Sequence, residues 1–98
     1  MVSMNKPGQV HLHATIRGRV QGVSFRYYTA RRARDLDLTG YVRNNPDGTV
    51  EVVAEGQRAR VEELLSFLRM GPRAAIVTDV DLSWPEPAGR FDRFEVRY

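Results

Sequence analysis

The sequence contains no cysteine. Disulfides, thiolate metal sites, iron–sulfur clusters and cysteine nucleophiles are therefore excluded. It also lacks any apolar run approaching the roughly 18 residues of a membrane span. Residues 1–9 lack the apolar core of a secretory signal. We therefore expect a cytoplasmic protein that has no membrane as a partner.

Lysine is almost absent, because Lys6 is the single lysine among 15 basic residues and the others are arginine. Arginine holds planar or tetrahedral oxyanions through paired hydrogen bonds. With 12 acidic residues the net charge is +3, which suits a small anionic ligand as well as nucleic acid. The 98 residues suffice for one domain. Residues 1–8 are predicted to be a flexible tail and residues 9–98 the domain.

Hydrophobic periodicity predicts two helices among five strands. The strands are predicted at residues 10–17, 40–44 and 49–55, through the equal-parity residues Ile76, Val80, Leu82 and Trp84, and through Phe94, Val96 and Tyr98. One helix is predicted to begin at the N-cap Ser24, with Phe25, Tyr28, Ala33 and Leu36 near one face, and a second to span 57–70. The residues 45–48, Asn-Pro-Asp-Gly, predict the turn of a hairpin. The order βαββαβ plus a short last strand predicts an α+β ferredoxin-like sandwich, an antiparallel sheet with two helices on one face.

The stretch from Gly18 to Arg26, Gly-Arg-Val-Gln-Gly-Val-Ser-Phe-Arg, connects the first predicted strand to the first helix. Two glycines four residues apart let the main chain curl and bring its N–H groups close to a ligand. The following helix start adds free N–H donors and a positive dipole end. Together these features favour an anion cradle over which Arg26 can swing. The spacing is not that of a nucleotide triphosphate loop, since neither GxxxxGK[ST] nor GxGxxG is present.

A second candidate residue is Asn44, which ends the predicted strand 40–44. An amide side chain both donates and accepts, so it can hold a water molecule in one direction without becoming charged. That property suits an enzyme in which positioning, and no protein nucleophile, carries the catalysis.

These two stretches give the chain its resemblance to the acylphosphatase family. Residues 16–26, Ile-Arg-Gly-Arg-Val-Gln-Gly-Val-Ser-Phe-Arg, are similar to the phosphate-loop signature of that family at every defining position. Residues 40–56 are similar to its second signature, with Gly-Tyr-Val-Arg-Asn followed by Gly48, Val50 and Gly56. The resemblance extends over about residues 9–98.

The resemblance implies hydrolysis of a carboxyl-phosphate anhydride to carboxylate and orthophosphate, without a metal, a cofactor or a phosphoenzyme. Arg26 would bind the phosphate and Asn44 would orient the attacking water. The main chain of the loop would hold the phosphoryl oxygens, through residues Gly18, Arg19, Val20, Gln21, Gly22 and Val23. The partners expected are a small acyl phosphate as substrate and orthophosphate as product and inhibitor, with no nucleic acid. A monomer is the default expectation.

Asp37 departs from the pattern, because it stands where the family often has glycine. If Asp37 closes the first helix in a left-handed conformation, it is strained, and Asp37→Gly should stabilise by about 0.5–1 kcal/mol. His11 and His13 lie two apart on one strand face, but no third metal ligand can be named, so an exposed sheet face is the preferred interpretation.

Two other functions are compatible with the predicted topology. An RNA-binding module needs exposed aromatic residues on its central strands, whereas residues 49–55 carry none and include Glu51 and Glu55. A regulatory module that binds a phosphorylated metabolite without turnover would use the same cradle, and only a turnover assay separates it from an enzyme.

Overall fold

The computed structural model describes residues 8–87 and 89–98. Its elements are β1 (Gln9–Arg19), α1 (Phe25–Asp35), β2 (Thr39–Asn44), β3 (Val50–Gln57), α2 (Arg58–Met70), β4 (Ile76–Ser83) and β5 (Phe94–Arg97). Of the predicted N-terminal tail, only Gly8 lies within the described residues, and its carbonyl accepts a hydrogen bond from the N–H of Arg58. No helix in these described stretches is long and apolar enough to cross a membrane.

The five strands form one sheet in the order β4-β1-β3-β2-β5. The predicted hairpin is present, because β2 and β3 pair antiparallel with Gly40 opposite Ala54. The sheet is mixed and not wholly antiparallel, because β5 joins β2 in parallel. Both helices pack on one face, so the ferredoxin-like α+β sandwich is confirmed.

The core lies between this sheet face and the two helices. Alternation along β1 and β3 buries one side of each strand completely, including Leu12, Ile16, Val50 and Val52. The helices contribute Phe25, Ala30, Ala33, Val61, Leu64 and Leu68 to the same cluster. Helix α2 ends as predicted at Gly71, which has a φ of +72°.

Two residues that the sequence placed on buried faces, Tyr28 of α1 and Ile76 of β4, are exposed in the structure. Tyr28 is 44% exposed, because the buried face of α1 passes through Thr29 and Ala30 instead. In β4 the register shifts where Gly18 pairs with Val77 and Arg17 with Asp79. This β-bulge reverses the side-chain parity, so Val77 packs on the core and Ile76 is 58% exposed.

Trp84, which has the same parity as Val80 and Leu82 in the sequence, is also not in the core, whereas Phe94 of β5 is buried. Trp84 follows β4, is 41% exposed and lies 5.3 Å from the guanidinium carbon of Arg58. The alternation of inward and outward side chains holds only within a strand, and β4 ends at Ser83, so it does not place Trp84.

Candidate active site

The loop between β1 and α1 depends on two glycines. Gly18 has a φ of +126°, and a Cβ atom there would lie 2.1 Å from the carbonyl oxygen of Ile76. This close approach of β4 excludes any side chain at position 18. Gly22 has a φ of +74° and faces open space, so its requirement is conformational alone.

The loop leaves main-chain donors available. In the described part of the chain, none of the N–H groups from Val20 to Val23 donates to another main-chain group outside the regular elements. Ser24 occupies the predicted N-cap position of α1, but its φ is +60° and its side chain forms no capping hydrogen bond. The start of the helix therefore adds further N–H groups without a side-chain acceptor.

The loop, Arg26 and Asn44 line one cavity of about 400 Å³. Of the residues that the sequence identified, Val20, Gly22, Arg26 and Asn44 line this cavity. The other loop residues, Gly18, Arg19, Gln21 and Val23, are not part of its lining. The cavity is lined by Val20, Gly22, Ser24, Phe25, Arg26, Tyr27, Asn44, Val96 and Tyr98. Three separate segments of the chain supply this lining: the loop with the first turn of α1, the end of β2, and the end of β5.

Arg26 belongs to the first turn of α1, and its side chain reaches the end of β5. Its Nη1 donates to the carbonyl oxygen of Arg97 at 3.2 Å. Its guanidinium carbon lies 4.6 Å from the centre of the Tyr98 ring, a cation–π distance. The half-buried arginine is therefore held at the cavity by a neutral acceptor and a ring, with its remaining donors open to a ligand.

Sequence reasoning missed the role of the Gln21 side chain. Its Nε2 donates to the carbonyl oxygens of Asn45 at 2.8 Å and Thr49 at 2.9 Å. This amide ties the β1–α1 loop to the β2–β3 turn, immediately after Asn44. Gln21 is half-buried, but burial is known only from the structure, so no signal in the sequence pointed to this contact.

The turn that Gln21 contacts is itself well ordered by hydrogen bonds. The N–H of Asn45 donates to the carbonyl of Thr49 at 2.8 Å, and Asn45 Nδ2 donates to Thr49 Oγ1 at 2.9 Å. The hydroxyl and the N–H of Thr49 both donate to the Asp47 carboxylate, and these two bonds lower the pKa of Asp47. Asn44 thus sits at the end of a strand whose following turn cannot move freely.

The two histidines lie on the sheet face away from the helices, and each binds a glutamate of β3. His11 donates to the nearly buried Glu55, and His13 Nε2 donates to Glu51 at 2.6 Å. Both rings are half-buried, in contrast to the exposed face that the sequence predicted. Within residues 8–87 and 89–98, no group of three or more His, Asp or Glu side chains is arranged to hold a metal ion.

This fold and this loop define the class of protein: a small α+β sandwich with a glycine-bounded loop of free N–H groups between its first strand and first helix. A family model described as acylphosphatase matches residues 12–96. An acylphosphatase of Salinibacter ruber is 51% identical over 86% of this chain and 88% of its own length. An acylphosphatase of Thermococcus kodakarensis is 52% identical over 83% of this chain and 89% of its own.

The fold comparison agrees with these relatives. The solved structure of an acylphosphatase from Coxiella burnetii matches with a TM-score of 0.90 at 34% identity, covering 98% of this chain and all of that one. The chain belongs to the acylphosphatase family, as the two sequence signatures predicted. It is accordingly a hydrolase of the acylphosphatase class, which acts on small acyl phosphates.

Proposed function

We propose that the protein hydrolyses small acyl phosphates by direct attack of water on phosphorus, with Arg26 and the loop from Gly18 to Val23 binding the phosphoryl group and Asn44 orienting the water. The observation that carries this proposal is the cavity that Val20 and Gly22 of the loop share with Arg26 and Asn44. A phosphoryl group seated there would meet amide donors on one side and a guanidinium on another.

The reaction needs little from the protein beyond positioning and charge stabilisation. The water oxygen forms a bond to phosphorus while the bond from phosphorus to the carboxyl oxygen breaks, and the electron pair of that bond leaves with the carboxylate. Since a carboxylate is a good leaving group, holding the equatorial oxygens in place provides most of the catalysis.

The proton of the attacking water passes to a phosphoryl oxygen of the substrate in this proposal. Asn44 is uncharged and can accept the water's other hydrogen bond without taking the proton. The described residues that line the cavity include no Asp, Glu or His side chain. Orthophosphate and carboxylate are the products, and orthophosphate inhibits because it occupies the same cradle.

The test is hydrolysis of benzoyl phosphate by the purified protein in EDTA, which also tests the expected independence of metals. Arg26→Ala should abolish both turnover and inhibition by orthophosphate. Asn44→Ala should lower kcat by about 100-fold or more while leaving phosphate inhibition within about twofold. Arg69→Ala, an exposed arginine near the end of α2, is the matched control and should change neither.

Each outcome distinguishes the roles. Loss of phosphate inhibition in Asn44→Ala with turnover retained would reverse the assignment of the two residues. No turnover by the wild type, with orthophosphate still bound, would favour the regulatory module that binds a phosphorylated metabolite. Sedimentation of the same preparation tests the expected monomer, and fractionation of the producing cells tests the expected cytoplasmic location.

A further inference from the structure

A second cavity adjoins the proposed phosphate cradle and has a different chemical character. This groove of about 490 Å³ is formed by the loop, α1, the end of α2 and the chain after α2. Its walls are Val23, Tyr28, Phe67, Pro72, Arg73 and Ala74. It shares Gly22 and Ser24 with the cradle cavity. Its volume lies within the range of small-molecule sites.

Two aromatic rings give the groove a defined apolar wall. Tyr28 is 44% exposed and so is not used by the core. The Tyr27 ring lies edge-on to it, with ring centres 5.1 Å apart and an angle of 78°. Phe67 is half-buried, and the guanidinium carbon of Arg32 lies 5.3 Å from the centre of its ring. Both rings therefore have neighbours that hold them in place.

The proposed mechanism needs a place for the leaving group on the side of the phosphoryl group away from the water. In-line displacement places the attacking water and the departing carboxylate on opposite sides of phosphorus. Asn44, the proposed water-binding residue, lines the cradle cavity and does not line the groove. The groove meets the cradle at Gly22 and Ser24, on the part of the loop that precedes α1.

We propose that this groove binds the acyl part of the substrate, so that the enzyme prefers acyl phosphates with an apolar, ring-sized acyl group. This inference rests on the proposed function. The ring of the acyl group contacts Tyr28 and Phe67 while its phosphate occupies the cradle. Tyr28 and Phe67 are then specificity-determining residues for the acyl end.

Arg73 adds a charge preference at the same groove. Its side chain is exposed, and within the described residues no carboxylate lies at ion-pairing distance from it. A carboxylate on the far side of the acyl ring would complement this charge. The preferred substrate class is therefore an aromatic acyl phosphate, and a distal carboxylate on its ring is favoured.

The experiment compares kcat/KM for benzoyl phosphate with kcat/KM for acetyl phosphate, which share the reacting group and differ in the acyl body. The wild type should prefer benzoyl phosphate. Tyr28→Ala should lower that preference by about tenfold, the size of effect expected for an apolar contact in a specificity pocket. Tyr28→Phe keeps the ring and should restore the wild-type preference. Trp84→Ala removes a similarly exposed ring outside the groove and should leave the preference unchanged.

A second comparison does not depend on the folding of Tyr28→Ala. It uses 4-carboxybenzoyl phosphate against benzoyl phosphate. Arg73→Gln should lower the relative kcat/KM for the carboxylated substrate by about three- to tenfold, whereas Arg69→Gln should not.

The possible failures are distinguishable. If the wild type hydrolyses neither acetyl nor benzoyl phosphate, the proposed function and the groove are both overturned. If it hydrolyses both, and neither Tyr28→Ala nor Arg73→Gln changes a substrate ratio, only the groove is overturned. The same holds if the variants lower kcat/KM for every substrate equally.

Discussion

At the scale of single residues, the proposed site depends on contacts that hold each group in place more than on unusual chemistry. Arg26 is restrained by the Arg97 carbonyl and the Tyr98 ring, and Gln21 by two carbonyls of the following turn. A displacement of about 1 Å in such a site can cost 100-fold in rate. Substitutions of restraining residues should therefore affect catalysis as well as stability.

Gln21→Ala tests this at the loop. The variant removes two side-chain hydrogen bonds between the loop and the turn after Asn44. We expect unfolding free energy to fall by about 1–2 kcal/mol and kcat to fall by about tenfold, because the cradle and Asn44 lose their common anchor. Urea unfolding and benzoyl phosphate kinetics measure the two effects. A stability loss with unchanged kcat would show that the contact is structural only.

Asp37 adopts the left-handed conformation that the sequence indicated. Its φ is +56°, and the bonds from the N–H of Leu38 to the carbonyl of Ala33 and from the N–H of Asp37 to the carbonyl of Arg34 form a Schellman motif. The structure adds a contact, because Asp37 also accepts a hydrogen bond from exposed Arg60 at 2.9 Å. The backbone strain lowers the free energy of unfolding, whereas this ion pair raises it.

Asp37→Gly is therefore expected to stabilise the protein by about 0.5 kcal/mol. Relief of the left-handed strain contributes about 1 kcal/mol, and loss of an exposed ion pair removes about 0.5 kcal/mol of it. Asp37→Ala is the matched control, because it loses the ion pair and keeps the strain, so it should destabilise. A urea midpoint for Asp37→Gly at or below that of the wild type would contradict this prediction.

At the scale of elements, β1 and β4 set the position of the loop. The β-bulge opposite Gly18 lets the chain turn out of β1 while β4 stays paired to its end. Periodicity along β1, β3 and α2 predicted their buried faces correctly, since regular elements repeat at a fixed interval. The bulge interrupts that interval, so alternation placed Val80 and Leu82 correctly on the core side of β4 but placed Ile76 there wrongly.

Gly18→Ala should destabilise the protein by about 2–3 kcal/mol. The new Cβ atom would collide with the β4 main chain at Ile76, and a φ of +126° would strain any side-chain-bearing residue. Gly48→Ala provides the control, since Gly48 has a φ of +92° but faces open space. Thermal or urea unfolding should show a larger loss for Gly18→Ala than for Gly48→Ala. Equal losses would mean that conformation alone, and not the approach of β4, requires Gly18.

At the scale of the whole molecule, the sheet has one face under the helices and another that carries polar pairs. On the second face Glu51 accepts hydrogen bonds from His13 and Arg43. Burial raises the pKa of Glu51, but these hydrogen bonds and the Arg43 charge outweigh it and hold the pKa below its usual value of 4.5. Burial, with the Glu51 charge, raises the pKa of the neighbouring Tyr41 hydroxyl.

These shifts predict how stability depends on pH. Because the pKa of Glu51 is lower in the folded state, its contribution is complete above the unfolded pKa of 4.5 and is lost as pH falls through the folded pKa. Tyr41 has a raised pKa, so its contribution is present below pH 10 and is lost as pH rises through the folded value. Glu51→Gln should cost about 1–2 kcal/mol at pH 7 and flatten the decline below pH 4.5. Urea unfolding from pH 7 to pH 3 measures both, and an equally steep decline in the variant would contradict the assignment.

The sequence by itself determined the family, the two-helix sandwich and the identity of the candidate residues. Glycine spacing, hydrophobic alternation and the Asn-Pro-Asp-Gly turn are local properties that act through nearest neighbours along the chain. Arg26 and Asn44 could be named from the sequence because each lies within a continuous signature, residues 16–26 and residues 40–56.

Only the tertiary structure decided how distant segments meet. The contacts of Gln21 with Asn45 and Thr49, and of Arg26 with Arg97 and Tyr98, join residues 24 to 72 positions apart, which no local pattern encodes. The groove is another case, since its wall exists because Tyr28 lies outside the core and Phe67 reaches it from α2. Exposure of a side chain depends on which face of a helix the rest of the molecule covers, and that is settled only when the elements pack together.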